Sequence, residues 1–305
     1  MARLHILMTM LALFSPACAG SSTGPDPGKA DGGGGGAPLR VMCFNVRTST
    51  APDLSNAWAN RRQMLVRTIV AFDPDLLGLQ EVMPDQAAYL REALAGYGFV
   101  GVGRDDGRAK GEFSPIFYRP QRFELLGAGH FWLSETPDVP GSRSWDAALP
   151  RIATWVKLRD RRAGEAPGAG ELLYVNTHWD HAGTLARLRS AAVMRQRIGS
   201  LVSPATAVIV TGDLNCTEDD EPYAILLGRG SDEPALIDSH RAAHPQRLTD
   251  EASFHGFKGT VAGSRIDFVL HSERLETVEA SIDRTRENER YPSDHFPVTA
   301  ILRWR

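Results

Sequence analysis

From residue 39 onward the apolar positions fall into short runs of two kinds, punctuated by Gly and Pro. The segment LRVMCFNV (39 to 46) reads as a strand, and NRRQMLVRTIVAF (60 to 72) as a helix that gathers Met64, Leu65, Thr68, Ile69 and Phe72 on one side. PDLLGLQEV then reads as a buried strand ending at Glu81, followed by a helix near 85 to 95 and the strands YGFVGVG, SPIFYRP and FELLGAGHFWL. The second half continues with strands IATWVKLR and ELLYVNTH, a helix from about Leu185 to Val202, and strand AVIVTGDLN. After a less patterned stretch come SRIDFVL and a last strand, HFPVTAILRW. This alternation predicts sheets covered by helices, an α/β or α+β sandwich. Each half holds an apolar strand ending in Asn, CFN and DLN, which suggests two related layers facing each other.

Composition narrows the class. With 305 residues, 42% of them hydrophobic and 23% charged, the chain can bury a large core. A formal charge of -3 excludes a global positive field able to hold long duplex nucleic acid or an anionic membrane. The start, MARLHILMTMLALFSPACAG, has an apolar run from Ile6 to Phe14 that is too short to span a bilayer, so residues 1–19 read as an export signal. Small residues before Cys18 also resemble a lipoprotein cleavage box, and ordinary cleavage stands as the alternative. Residues 20–37, rich in Gly, Pro and Ser, offer almost nothing to a core and read as a tether to the domain at 38–305. The expected location is therefore periplasmic, at the cell surface or secreted, with membrane contact only through a lipid anchor. Cys43 and Cys216 have no CxxC spacing and are expected as buried thiols, a single bridge between them being the alternative.

Polar side chains recur at the predicted strand ends: Asn45, Glu81, His178, Asp213, Asn215, Asp267 and the pair Asp294-His295. Carboxyl ends of neighbouring strands converge, so these groups are expected to line one cleft. Oxygen donors such as Asn45 and Glu81 suit Mg²⁺, although singly each also fits a strand-end turn or a solvated terminus. TGDLN is predicted to put Asp213 and Asn215 on one face at period two, or else to form a turn bonded to its own backbone. His178 and His181 flank Asp180 in VNTHWDH, but a strand end without a cysteine cluster argues against zinc. His181, Trp179 and Asp180 are expected at the rim.

In this order, FNV, LQEV, NTH (176 to 178), GDLN (212 to 215), IDF (266 to 268) and SDH (293 to 295) resemble the endonuclease/exonuclease/phosphatase superfamily. That group includes pancreatic-type deoxyribonucleases, deadenylases, inositol-polyphosphate 5-phosphatases and bacterial sphingomyelinases. The resemblance implies a four-layer α/β/β/α sandwich of two facing mixed sheets flanked by helices, with a divalent cation, Mg²⁺ or alternatively Mn²⁺. It implies hydrolysis of a phosphate ester by in-line attack of water. Carried over by position, Glu81, Asn45 and Asp294 would serve the metal, Asp294 alternatively supporting His295. Asp213 would orient the water and Asn215 hold the phosphate, while His178 and His295 grip oxygens or assist the leaving group. An acid partner is implied for each imidazole, Glu112 for His178 and Asp267 for His295.

The chain has no damage-recognition insertion, leucine-rich repeat or strongly basic face, so tight duplex-DNA binding is not expected. SETPDVPGSRSWDAALPR, with Trp145 and Arg151, and SFHGFKG, with His255, Phe257 and Lys258, read as specificity loops or as core anchors of long loops. Arg47, Arg187 and Arg189 are candidates for a phosphate clamp. The expected activity is an exported, monomeric phosphodiesterase for nucleotides or short single-stranded nucleic acid. Its alternatives are a phosphoesterase for sugar, inositol or lipid phosphates, and a surface module without catalysis.

Overall fold

Strand β1 (Leu39–Asn45) shows how the residue pattern builds the layers. Leu39, Val41 and Cys43 enter one apolar cluster, while Met42 and Phe44 enter another on the opposite face. Every second side chain therefore faces a different layer. In the computed structural model, which describes residues 37–163, 169–228 and 235–305, this alternation is repeated across two six-stranded mixed sheets. The export segment and nearly all of the tether lie outside the described residues.

The first sheet runs β11 (Leu275–Ile282), β12 (Val298–Trp304), β1, β2 (Leu76–Gln80), β4 (Ile116–Tyr118), β3 (Gly98–Val100). The second runs β5 (Phe123–Trp132), β6 (Ile152–Asp160), β7 (Glu171–His178), β8 (Ala207–Asp213), β10 (Asp267–Ser272), β9 (Leu236–Asp238). A central cluster drawn from both sheets, including Val41, Leu76, Tyr174 and Ile209, fills the space between them. Helices α1 (Trp58–Phe72) and α2 (Pro84–Ala93) cover the outer face of the first sheet. Helices α3 (Thr184–Leu201) and α4 (Glu221–Leu227) cover the second. The architecture is the four-layer α/β/β/α sandwich.

Each sheet is centred on a parallel pair joined by a crossover helix, β1–α1–β2 and β7–α3–β8, flanked on both sides by antiparallel strands. The two layers are thus related, but not through the repeated Asn. The counterpart of CFN at the end of β1 is NTH at the end of β7, while DLN follows β8, the counterpart of β2. The shared Asn is coincidental.

The expected strand ends also change. Asp267 opens β10, and Asp294 and His295 precede β12, so they sit at amino ends and not carboxyl ends. They still reach the cleft because both strands are antiparallel to a central neighbour, with Asp267 paired in register to Asp213. Strand β11, helix α4, strand β9 and the short helix α5 (Ser239–Ala243) carry too little periodicity to be foreseen. Cys43 and Cys216 are buried free thiols. Among the described residues no helix is long and apolar enough to cross a membrane.

Candidate active site

At one end of the sandwich the inward-facing positions of the central strands change from apolar to polar. Along β7, Leu172 and Tyr174 belong to the inter-sheet core, and the same parity then brings Asn176 and His178 inward. Along β8 it brings Thr211 and Asp213, and along β2 it brings Gly78 and Gln80. Asn176 closes the core beneath the site. Its Oδ1 accepts from Gln80 Nε2 (2.7 Å) and Thr211 Oγ1 (2.9 Å), and its Nδ2 donates to the carbonyls of Leu79 (2.7 Å) and Pro115 (3.0 Å). Gly78 is required here, since a Cβ would lie 2.2 Å from Thr211 Oγ1 and 2.5 Å from Asn176 Oδ1.

Above this layer opens a cleft of about 340 Å³. Its lining includes Glu81, His178, Asp213, Asn215, Asp294 and His295, and further out Arg47, Glu112 and Arg151. Asn45 and Asp267, both fully buried, stand directly behind. Nine predicted residues therefore line one cavity and two more support it.

Asn45 Nδ2 donates across the sheets to Asp213 Oδ2 (2.9 Å) and to Glu81 Oε1 (3.0 Å). Its Oδ1 accepts from the Arg47 backbone N–H (2.9 Å), which can only donate and so fixes the amide's orientation. Asn45 thus binds the carboxylates through its amide nitrogen. Glu81 follows β2 in the left-handed region, φ 60°, which is unusual outside glycine. It is held there by Asn45 and by the Thr48 N–H donating to Oε2 (2.9 Å). Asn215 is also left-handed, φ 47°, so it leaves the strand before the period-two face can form. Its N–H donates to Asp213 Oδ1 (3.0 Å), closing the turn, and its Nδ2 donates to His178 Nε2 (3.0 Å).

The two imidazoles differ in charge. His295 Nδ1 donates to Asp267 Oδ2 (2.8 Å), and Nε2 lies 3.8 Å from Asp213 Oδ2. Burial works against its charge, but Asp267, Asp213 and Asp294 outweigh burial and raise the pKa to about 10, so the ring is an imidazolium. His178 is driven the other way, well below its ordinary value, by burial and then by Arg151 and Arg104. It accepts from Asn215 on Nε2 and so carries its proton on Nδ1. The expected partner, Glu112, is 4.0 Å from Nδ1, beyond hydrogen-bond reach, because Arg104 Nη1 engages its carboxylate at 2.5 Å. Nothing in the sequence marked Arg104.

Asp213 and Asp294 are both pushed above the usual carboxylate range. Burial is the main cause, with the charge of Asp267 adding to it for Asp213 and that of Glu81 for Asp294. Glu81, Asp213 and Asp294 form an oxygen-rich, charge-crowded cluster, and Asp294's nearest cation is Arg47 Nε at 3.6 Å. That donor set fits a hard divalent cation. Asp213, Asp267 and His295 also offer ligand atoms within 4.8 Å of one another. There His295 Nδ1 is taken by Asp267 and the ring carries a positive charge, so the Glu81 and Asp294 side suits the ion better.

Several substrate candidates lie elsewhere. His255 is a core anchor, stacked on Phe296 with ring centroids 4.0 Å apart. Lys258 is exposed and Trp145 half-buried, and neither lines the cleft. Phe254, half-exposed and 5.0 Å from the His295 ring, takes the place assigned to His255, because 253–256 pairs with 294–296 and turns alternate residues outward. Arg187 donates to the Asp180 carbonyl (2.9 Å), and neither it nor Arg189 lines the cleft. Trp179 and Asp180 are fully buried and not at the rim, whereas His181 is exposed and does line it. Arg61, also unforeseen, is buried in α1 and donates to the carbonyls of Val46, Arg47, Asn56 and Pro292, fixing the loops that bear Arg47 and Asp294.

Two facing α/β layers with acids, amides and imidazoles gathered at one mouth between the sheets define a phosphoester-hydrolase type of sandwich. The profile of the Endonuclease/Exonuclease/phosphatase family matches residues 42–295, and the chain belongs to that family. Its members are phosphoester hydrolases. An endonuclease/exonuclease/phosphatase family protein from Bacteroides thetaiotaomicron superposes with a TM-score of 0.79 at 34% identity, covering 88% of this chain and 99% of that one. A mannosyl-6-phosphatase of the same organism gives 0.78 and 34%, covering 87% and 99%. Among curated proteins, the CCR4-Not complex 3'-5'-exoribonuclease subunit Ccr4 of Coccidioides immitis is 28% identical over 62% of this chain. The match spans only 27% of the length of that relative.

Proposed function

We propose that this protein is a divalent-cation-dependent phosphomonoesterase for a small phosphorylated molecule of the sugar class. The observation that carries the hydrolase reading is the placement of Asp213. One buried carboxylate lies 2.9 Å from Asn45 Nδ2, 3.5 Å from His178 Nε2 and 3.8 Å from His295 Nε2, at the floor of a cleft. In this reading Asp213 orients the attacking water and accepts its proton, a task suited to a carboxyl pushed upward by burial and Asp267. Asn215 would turn an Nδ2–H from His178 Nε2 to a phosphoryl oxygen, and the neutral His178, then protonated on Nε2, would donate to another. The His295 imidazolium, fixed by Asp267, donates to a developing oxyanion or to the leaving oxygen. Glu81 and Asp294 would hold the cation, with Asn45 and Thr48 steadying Glu81. Bound there, Mg²⁺ or Mn²⁺ would supply Lewis-acid stabilisation of phosphoryl charge.

Support for a sugar phosphate comes from the mannosyl-6-phosphatase, matched over nearly its whole length, and from a cleft of monosaccharide size. Phe254 and Leu149, both partly exposed on the lining, give a leaving group apolar walls. The exoribonuclease match favours a second reading, a phosphodiesterase for nucleotides or short single strands. Turnover with Mg²⁺, read as inorganic phosphate from hexose 6-phosphates and mononucleotides, as p-nitrophenol from bis-p-nitrophenyl phosphate and as shortened products from oligonucleotides, tests both. Turnover confined to diesters would replace the first reading by the second, and no turnover at all would leave a binding module. The apolar run at 6 to 14 and the tether support an exported enzyme, anchored through Cys18 or free.

A further inference from the structure

We infer that Arg151 and His181 form a subsite that selects a dianionic phosphomonoester over a monoanionic diester, an inference that rests on the cleft being a phosphoester site. Arg151 immediately precedes β6, is 3% exposed and lines the cleft beside His178 and Glu112. Its Nε donates to Asp180 Oδ2 at 3.3 Å and its Nη2 to His181 Nδ1 at 2.8 Å. Nη1 is buried with no hydrogen-bond partner. Native interiors rarely keep such an orphan donor, least of all a charged one, so a ligand acceptor is the natural completion.

The Asp180 carboxylate pairs with Arg151 through Nε and leaves Nη1 free. It also accepts from four backbone N–H groups: those of Ala148 and Leu149 on Oδ2, and those of Ala182 and Gly183 on Oδ1. Burial tends to raise its pKa, but these bonds and Arg151 outweigh burial and hold it below the usual carboxylate range. Asp180 is therefore a fixed post that braces Arg151 and the 148–149 loop together.

Of the other arginines in and around the cleft only Arg47 lines it, and Arg104 also keeps one buried nitrogen, Nε, without a hydrogen-bond partner, behind the lining. Arg47 forks onto both oxygens of Asp53 at 3.0 Å, Arg104 grips Glu112, and Arg61 serves four carbonyls. Donation from Arg151 makes His181 Nδ1 an acceptor and leaves that ring's proton on Nε2, at an exposed edge of the cleft. Arg151 and His181 thus offer two donors on one wall, Arg151 Nη1 and His181 Nε2, with the guanidinium paired to Asp180 through Nε alone. A monoester carries two negative charges over three nonbridging oxygens. A diester carries one over two, with its other two oxygens bonded to carbon. His178, Asn215 and His295 can serve two oxygens of either, and the Arg151–His181 wall takes the third.

Calorimetric titration of the full chain with Mg²⁺ at pH 8 tests this, using inorganic phosphate and dimethyl phosphate as probes. Wild type should prefer phosphate by about 10- to 100-fold, the span of a charge-assisted hydrogen bond. Arg151→Gln should abolish that preference and Arg151→Lys restore part of it. His181→Ala, at an exposed position that folding does not need, should reduce the preference several-fold. No preference in wild type, or a preference untouched by Arg151→Gln and His181→Ala, overturns the inference. In turnover, Arg151→Gln should raise KM for p-nitrophenyl phosphate by a larger factor than for bis-p-nitrophenyl phosphate, whereas equal losses on both overturn the selectivity. If wild type hydrolyses neither ester while the phosphate preference still depends on Arg151, the hydrolase reading fails and the subsite stands.

Discussion

Replacing Asp267 by Asn removes one negative charge 2.8 Å from His295 Nδ1, in a place with no solvent access. The substitution keeps the shape and can keep one hydrogen bond, but it no longer balances an imidazolium. Removing one partner of a buried ion pair costs about 3–5 kcal/mol. Part of that is returned, because Asp213 loses the neighbour whose charge raises its pKa. The pH dependence is the sharper test. The folded pKa of His295, about 10, lies above its ordinary 6.5, so its contribution is complete below about pH 6.5 and is lost as pH climbs through 10. The stability gap between wild type and Asp267→Asn should be widest near pH 6 and close toward pH 10. Urea unfolding of metal-free protein at pH 6, 8 and 10 measures the gap, and NMR titration of the His295 ring should show its pKa falling by at least about one unit. A gap that is flat or widens with pH would refute the charged pair, as would an unmoved titration.

Glu81→Gln should weaken Mg²⁺ binding by about tenfold or more in calorimetry and shift the magnesium dependence of turnover equally. Asp213→Asn should lower kcat by at least about 10²-fold while phosphate still binds, the mark of a group that acts on the attacking water. Arg61→Met should lower stability by about 2–4 kcal/mol in urea unfolding, because four carbonyls lose their donor. Gly78→Ala should destabilise by more than about 2 kcal/mol, since its Cβ would press on Thr211 and Asn176 and wedge the sheets apart.

Much of the site was legible because its residues sit where apolar runs stop. Asn45, His178 and Asp213 each close a central strand, and the alternation that buries Val41 or Tyr174 also sends that final polar residue inward, whereas Glu81 lies one residue past β2 and reaches the cleft through its left-handed backbone. Asp267 and His295 were found by the same rule, though from the wrong strand end, because antiparallel pairing is invisible in one strand's pattern. Loops escaped for a different reason. Phe254 and His255 are adjacent and equally plausible as ligands, and only the pairing of 253–256 with 294–296 decides which faces the cleft. Arg104 and Arg61 lie among many arginines, so no local signal separates a buried clamp from a solvated side chain.

The two sheets contribute unlike halves of the chemistry. The first supplies Asn45, Glu81 and Asp294, the oxygen-rich side, and the second supplies His178, Asp213, Asn215 and Asp267. Neither half is complete alone. Asn45 reaches across to Asp213, and His295, carried on the first sheet's loop, takes its charge from Asp267 on the second. These contacts sit at the mouth of the same inter-sheet core that Asn176 seals. Separation of the sheets by even a fraction of an ångström would therefore lengthen both catalytic contacts at once. Packing variants deep in the sandwich, such as Gly78→Ala, should consequently depress kcat even under conditions where the protein remains folded, because the core sets the distance across which the acids and imidazoles meet.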